Sequence, residues 1–291
     1  MSITQHHRVE QISPGTSLVD YCKTAFPLLG SKTAVKKAIA TGRLLVNGQV
    51  AQFSTALREG DSLELTGSGV SKARSFDKKL PVVYEDDHLL VINKPAGIAV
   101  NGNRIKTVEN AVAGTEKPSP ASDALPRPVA VHRIDLPTKG LVVLAKTKEA
   151  LIRMGKAFEE NEVRKEYTAI VHGQPEEKGS IDQAIQGKPA VTEYRTVRTV
   201  PSRVYKHLAL VKLHPITGRT HQLRIHMRQA GHLILGDKQY AAGQKTILGK
   251  GLFLCATQLS FLHPVTEKPV VLRINPPRRF DKTLDREKER Y

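Results

Sequence analysis

Residues 67–80, reading GSGVSKARSFDKKL, are rich in Gly and Ser, basic, and without hydrophobic period. A stretch of that kind presents no apolar face to bury and reads as a linker. The chain therefore divides into a unit over residues 13–66 and a larger one over 81–291. In the first unit, Leu18, Val19, Cys22 and Phe26 fall at helical spacing after Ser17. Ser31 can N-cap a second helix that runs through Ala40, with Gly42 just past its end. Leu44-Leu45-Val46, the turn Asn47-Gly48 and Val50 then form a hairpin signal, because Asn-Gly suits the tight turn that two paired strands need. Leu63-Glu64-Leu65 closes a module of two helices and a small sheet.

Beyond Pro81 the pattern becomes repeated short apolar runs, expected as strands at 82–84, 89–93, 141–145, 165–171, 208–213, 252–256 and 270–274. Helices are expected at 107–113, 149–160 and 220–230. Many short strands with interspersed helices predict an α+β fold on a mixed, mostly antiparallel sheet. Residues 117–128 hold four prolines and read as a loop. The tail, 278–291, mixes six basic with four acidic residues and reads as a solvated helix or a fraying end.

The charge balance narrows the partner. Lys and Arg total 45 against 28 acidic residues, a formal +17, which favours a polyanion, nucleic acid ahead of an anionic membrane. No run approaches the roughly 18 apolar residues of a membrane span, and the polar start MSITQHHRVE is no signal peptide. Cys22 and Cys255 offer no disulfide framework, so a reducing, cytoplasmic location is expected.

Four segments carry candidate chemistry. The first is Val131-His132-Arg133-Ile134-Asp135-Leu136-Pro137-Thr138-Lys139-Gly140, a lone carboxylate in a tight turn before a buried strand. An aspartate there can simply cap its own backbone, or it can be a reactive group held on a rigid scaffold. The second is Thr217-Gly218-Arg219-Thr220-His221-Gln222-Leu223-Arg224-Ile225-His226-Met227-Arg228, a turn expected to feed a helix capped by Thr220. Arginines and histidines at a helix start make an anion site, and one arginine can orient a carboxylate. The third is the strand carrying Tyr167, which shares a face with Ala169 and Val171 and is either a core tyrosine or a stacking platform with a hydroxyl. The fourth is Asn93-Lys94-Pro95-Ala96-Gly97, a rigid turn from which Lys94 can reach a phosphate. His214, His221, His226 and His232 crowd one region, but the spacing of His221 and His226 does not stack two ligands on a helix and no cysteine or carboxylate pair joins them; no metal is expected.

Together, in this order, these segments resemble the RluA-type family of pseudouridine synthases. His132-Arg133-Ile134-Asp135 with Gly140-Leu141-Val142-Val143-Leu144-Ala145-Lys146 is similar to its catalytic signature. Residues 165–173, 218–226, Gly231-His232, Gly236-Asp237, Tyr240, 259–264 and Pro276-Pro277 resemble its later motifs. Residues 17–65 are similar to the S4 RNA-binding module that many members carry. The resemblance implies that Asp135 is the catalytic aspartate, Tyr167 the tyrosine against the base, Arg224 the aspartate's partner, and Arg133 the side chain that fills the gap left by a flipped uridine. Lys94, Lys139, Arg219 and His221 are then expected on RNA. It implies an RNA substrate, ribosomal first and transfer RNA second, a monomer, and no cofactor.

Lys139 stands where the family usually has Ser, Ile134 where it has Leu, and Ser17-Leu18-Val19-Asp20 replaces the usual Arg-Leu-Asp start of the module. Asp135 could attack C1′, attack C6, or remove the 2′ proton; the sequence does not choose. A non-catalytic RNA-binding factor on the same fold, and a metal- or His-dependent RNA hydrolase, are the competing classes.

Overall fold

The computed structural model describes all residues except 1–3, 27, 28, 30, 67–75, 114–116, 242, 244 and 248. The chain separates into two compact units, Met1–Arg74 and Ser75–Tyr291. Most of the expected linker, residues 67–75, lies outside the described residues.

The first unit has β1 (Thr4–Arg8), α1 (Leu18–Ala25), α2 (Lys32–Ala40), β2 (Leu44–Val46), β3 (Gln49–Val50) and β4 (Ser62–Thr66). The side chains of Ser17 and Ser31 accept from the amides of Asp20 and Ala34 and so start the two helices. One core of Leu18, Cys22, Phe26, Val35, Leu44 and Leu63 joins them to a four-stranded antiparallel sheet in the order β1-β4-β2-β3. The unit begins earlier than residue 13: β1 pairs along the whole of β4 although its sequence, TQHHR, has no apolar residue to announce it.

The second unit comprises β5 (Val82–Glu85), β6 (Leu89–Lys94), α3 (Val108–Val112), β7 (Ala124–Ala130), β8 (Lys139–Thr147), α4 (Lys148–Glu159), β9 (Arg164–His172), β10 (Lys178–Asp182), β11 (Val191–Ser202), β12 (Lys206–Pro215), α5 (Gln222–Gln229), β13 (Leu254–Leu262), β14 (Pro269–Arg273) and α6 (Arg279–Glu289). One sheet runs β10-β11-β12-β9-β13-β8-β6-β5, with β14 on β13 and β7 on β8. It is mixed but mostly antiparallel, as an α+β fold requires; β13 and β8 are its parallel pair.

That parallel junction positions the site. Gly140, at φ 126°, sits opposite Ala256 so closely that a Cβ would run into the Ala256 carbonyl and amide. Only glycine lets the turn carrying Asp135 enter β8 against β13.

Two expectations are corrected. The proline-rich segment is not all loop: β7 pairs with β8 through a register shift between Ala124 and Val129 that accommodates Pro126 and Pro128. The tail neither frays nor floats. Phe280 and Leu284, one helical turn apart, are fully buried with Phe253 and Cys255, and Arg198 and Asp285 pair at 2.6 Å on the outside. Among the described residues, no helix is long and apolar enough to cross a membrane.

Candidate active site

Asp135 heads a turn closed by the Thr138 amide donating to its carbonyl at 3.0 Å. Ile134 is buried in the core below, and the carbonyl of Leu136, the residue after Asp135, accepts from the Gly97 amide at 2.8 Å. Lys94 anchors the same loop from beneath. Its ammonium donates to the carbonyls of Pro95 (3.1 Å), Ile98 (2.8 Å) and Leu136 (3.3 Å). It is fully buried, and burial holds its pKa down to about 8 while Asp135 pulls it up. Lys94 is therefore no phosphate contact: the strand β6 turns its side chain into the protein, where the loop's own carbonyls take it up.

The facing wall comes from the turn before α5. His221 occupies the N-cap with φ 57°, so Thr220 does not cap the helix as expected. Gln222 holds the turn instead. Its oxygen accepts from the Thr217 hydroxyl (2.7 Å) and the Arg219 amide (3.0 Å), and its nitrogen donates to the Val191 carbonyl (2.8 Å) on β11. This geometry turns Arg224 inward, 5% exposed.

The Arg224 guanidinium is gripped by Asp237, a buried carboxylate, through two bonds of 2.7 and 2.9 Å; it reaches Gln239 at 3.1 Å and lies over the Tyr240 ring at 4.9 Å. Its remaining nitrogen, Nη1, donates to Asp135 Oδ2 at 3.3 Å. Burial works against the charge, but Asp237 and then Asp135 more than offset it, leaving the arginine pKa above its ordinary value. His221 stands 3.8 Å from Asp135 Oδ1 through Nε2 and is fixed by the Tyr240 hydroxyl at 2.8 Å through Nδ1.

Asp135, Arg224, His221, Tyr167, Arg133 and Arg219 all line one cavity of about 290 Å³, with His132, Ile134, Thr138, Phe158, Lys165 and Thr217. Tyr167 packs between two apolar clusters, and burial, with the Asp135 charge second, raises its pKa; the phenol is neutral at ordinary pH. It can stack and donate but is not a resting base. Arg133 is exposed at the rim, and Arg219 is tethered to the Pro189 carbonyl at 2.9 Å.

Lys139 does not join them. Thr138 lines the cavity, whereas Lys139, the first residue of β8, is in register with Cys255, where its charge opposes part of the rise that burial gives that thiol's pKa. The cation in place of the family serine is therefore off the cavity wall.

The four crowded histidines have separate partners: His226 bonds Thr192 and the Gln183 carbonyl, His232 the His172 carbonyl, and His214 lies 3.8 Å from Glu166. No group of His, Cys, Asp or Glu among the described residues is arranged to hold a metal.

Three residues at or behind the cavity wall, His132, Asp237 and Lys165, have no role assigned from the sequence. His132 stacks on Phe158 at 4.4 Å and accepts from the Val143 amide at 3.0 Å; burial, then the Lys165 charge, press its pKa down to about 3. Asp237 lies too far along the chain from Arg224 for spacing to pair them. Lys165 was legible, since strand alternation puts it on the face of Tyr167.

The sequence profile of the family described as RNA pseudouridylate synthase matches residues 88–229. The dual-specificity RNA pseudouridine synthase RluA of Pasteurella multocida is 37% identical over 216 residues, 68% of this chain and 94% of the relative. The chain belongs to the RluA-type pseudouridine synthase family. Membership makes it an isomerase that converts uridine in RNA to pseudouridine. The ribosomal large subunit pseudouridine synthase D of Zymomonas mobilis is also similar, 36% identical over 67% of this chain and 68% of its own. Human RNA pseudouridylate synthase domain containing 4, a solved structure, superposes with a TM-score of 0.57 at 27% identity, covering 71% of this chain and 92% of that one. The pseudouridine synthase fold is thus shared, and the family profile falls wholly within the second unit.

Proposed function

We propose that this RluA-type pseudouridine synthase acts on ribosomal large-subunit RNA in the cytoplasm as a monomer, through Asp135 on a uridine flipped into the cavity. The observation that carries this reading is the Asp135 carboxylate, held at the cavity wall by one long bond from an arginine whose other contacts are all fixed. The reaction breaks N1–C1′, turns the base, joins C5 to C1′ and releases the C5 proton to water, while N1 takes up a proton in its place. It needs one ionised carboxylate and no group donor. Arg224 orients that carboxylate through a charge-assisted bond.

A uridine within a duplex must leave the stack, at a cost of a few kcal/mol. Tyr167 stacking on the base offsets part of that, by roughly 1–3 kcal/mol, and Arg133 at the rim occupies the vacated space. Arg219 and His221 meet the RNA on the α5 side. The first unit serves as an S4-like RNA anchor, with Lys32, Lys36 and Lys37 on α2 supplying charge. Large-subunit rRNA is favoured over tRNA because the Zymomonas relative is named for that substrate, whereas the Pasteurella one is named for dual specificity.

Tritium release from C5-labelled uridine, in RNA from cells lacking the gene, tests the assignment. Asp135→Asn should bind the RNA and release nothing. Release at the wild-type rate would remove Asp135 from the mechanism, and mapping the uridines left unmodified in those cells identifies the substrate.

A further inference from the structure

Lys165 is a partly buried cation without an oxygen partner, and it faces the cavity. Three other lysines of this sheet are matched. Lys94 has three carbonyls, Lys146 has Glu85 at 3.0 Å and the Asp86 carbonyl at 2.7 Å, and Lys212 has Glu166 at 2.6 Å. Among the described residues Lys165 has no hydrogen bond and no carboxylate within ion-pair distance. Its neighbour Glu166 cannot serve it, since strand alternation turns that carboxylate to Lys212 and His214 on the opposite face.

Lys165 shares its face of β9 with Tyr167, and both line the cavity. Its charge is felt by His132, whose ring stacks on Phe158, so the ammonium belongs to that wall, while the Asp135 carboxylate is held at the α5 wall by Arg224. Burial lowers the lysine's proton affinity, the mark of a charge lacking compensation. His132, kept neutral and accepting from Val143, offers no second cation there. An uncompensated ammonium beside a pocket is costly until an anion arrives.

We infer that Lys165 receives a backbone phosphate adjoining the flipped uridine, while Asp135 works on its sugar or base across the cavity. This rests on reading the cavity as the nucleotide site. The phosphate is the only anion a uridine brings with it; the base offers neutral carbonyls alone. Lys165 thereby fixes the nucleotide at one end while Tyr167 holds the base.

The test compares the full chain with Lys165→Met and Lys165→Arg, using C5-tritiated RNA from cells lacking the gene, over a range of salt concentrations. Losing one charge-assisted contact should cut kcat/KM about 10- to 100-fold, chiefly through KM. The slope of log kcat/KM against log salt should become shallower by about 0.7 to 0.9, the share of a single phosphate. Lys165→Arg should restore the slope. Unfolding curves confirm that each variant is folded, and Lys165→Gln is read the same way if the Met variant is not.

A wild-type salt slope in a folded Lys165→Met or Lys165→Gln enzyme overturns the phosphate contact. So does a normal KM with one limb of the pH–rate profile lost, which would make the lysine a proton carrier. Asp135→Asn, run alongside, separates the two failures. Survival of its release refutes the nucleotide reading of the cavity, whereas its loss with an unchanged Lys165→Met slope refutes the phosphate contact alone.

Discussion

Asp86 and Asp135 both occupy tight turns leading into strands of one sheet, β6 and β8, which run antiparallel as neighbours. The two turns therefore lie at opposite ends of that strand pair. Asp86 is saturated: its carboxylate accepts from the Tyr84 hydroxyl (2.5 Å), His263 Nε2 (2.9 Å) and the amides of His88 (2.8 Å) and Leu89 (2.7 Å). Burial pushes its pKa up, those bonds more than offset this, and it ends below the ordinary carboxylate range. Asp135 has one bond, at 3.3 Å, and a histidine at 3.8 Å, beyond hydrogen-bond reach. Sequence context barely separates these aspartates; donor count does. A carboxylate with every lone pair engaged holds a turn together, and one left partly free beside a cavity is available to react.

Substitutions can break or sharpen that contrast. The largest effect is expected from Asp237→Ala, which leaves the Arg224 charge buried with half its partners. It should cost about 3–5 kcal/mol in urea unfolding, and any folded enzyme should release tritium at least ~10²-fold more slowly, because the Asp135 contact loses its support.

Lys94→Met should slow release about 10-fold by loosening the Asp135 loop, and it carries a pH signature. Its folded pKa, about 8, lies below the unfolded value near 10.4. Over that window the unfolded chain holds the proton that the folded one has shed, so wild-type stability rises with pH relative to the variant, by on the order of 3 kcal/mol. Unfolding titrations at pH 7.5 and 10 read this difference, and parallel curves for the two proteins would show that the lysine is not strained by burial.

Asp86→Ala strands the buried His263 ring and two amides, and should cost about 1–3 kcal/mol. Release per folded molecule should stay within about two-fold of wild type; a loss rivalling that of Asp135→Asn would erase the distinction between the turns. The smallest effect is expected at Arg198→Ala, whose partner Asp285 is 53% exposed. Surface pairs of this kind contribute roughly 0–1 kcal/mol, and activity should not change.

Sequence pattern revealed the strongly apolar strands β6, β8, β9 and β12, whose runs of Val, Leu and Ile have no other use. It missed β11, because Val191–Ser202 alternates exposed charges with Thr and Tyr rather than with large apolar residues. That omission mattered, since β11 holds the turn of His221 through Gln222. The docking of α6 rests on two apolar residues among many charges, too few to raise a pattern. Asp135, Tyr167 and Arg224 were legible through the resemblance, and they do converge on one cavity. Lys94 was misjudged because a lysine's side of the strand depends on register, which spacing along one chain does not report.

The most direct test is a paired measurement on Asp135→Asn, urea unfolding beside tritium release. If the free carboxylate is the reactive group, release falls below about one-thousandth of wild type while the unfolding midpoint stays put or rises, since removing an incompletely bonded charge relieves the fold. A variant that unfolds more readily yet keeps its release would make Asp135 a turn residue like Asp86, and would contradict the account.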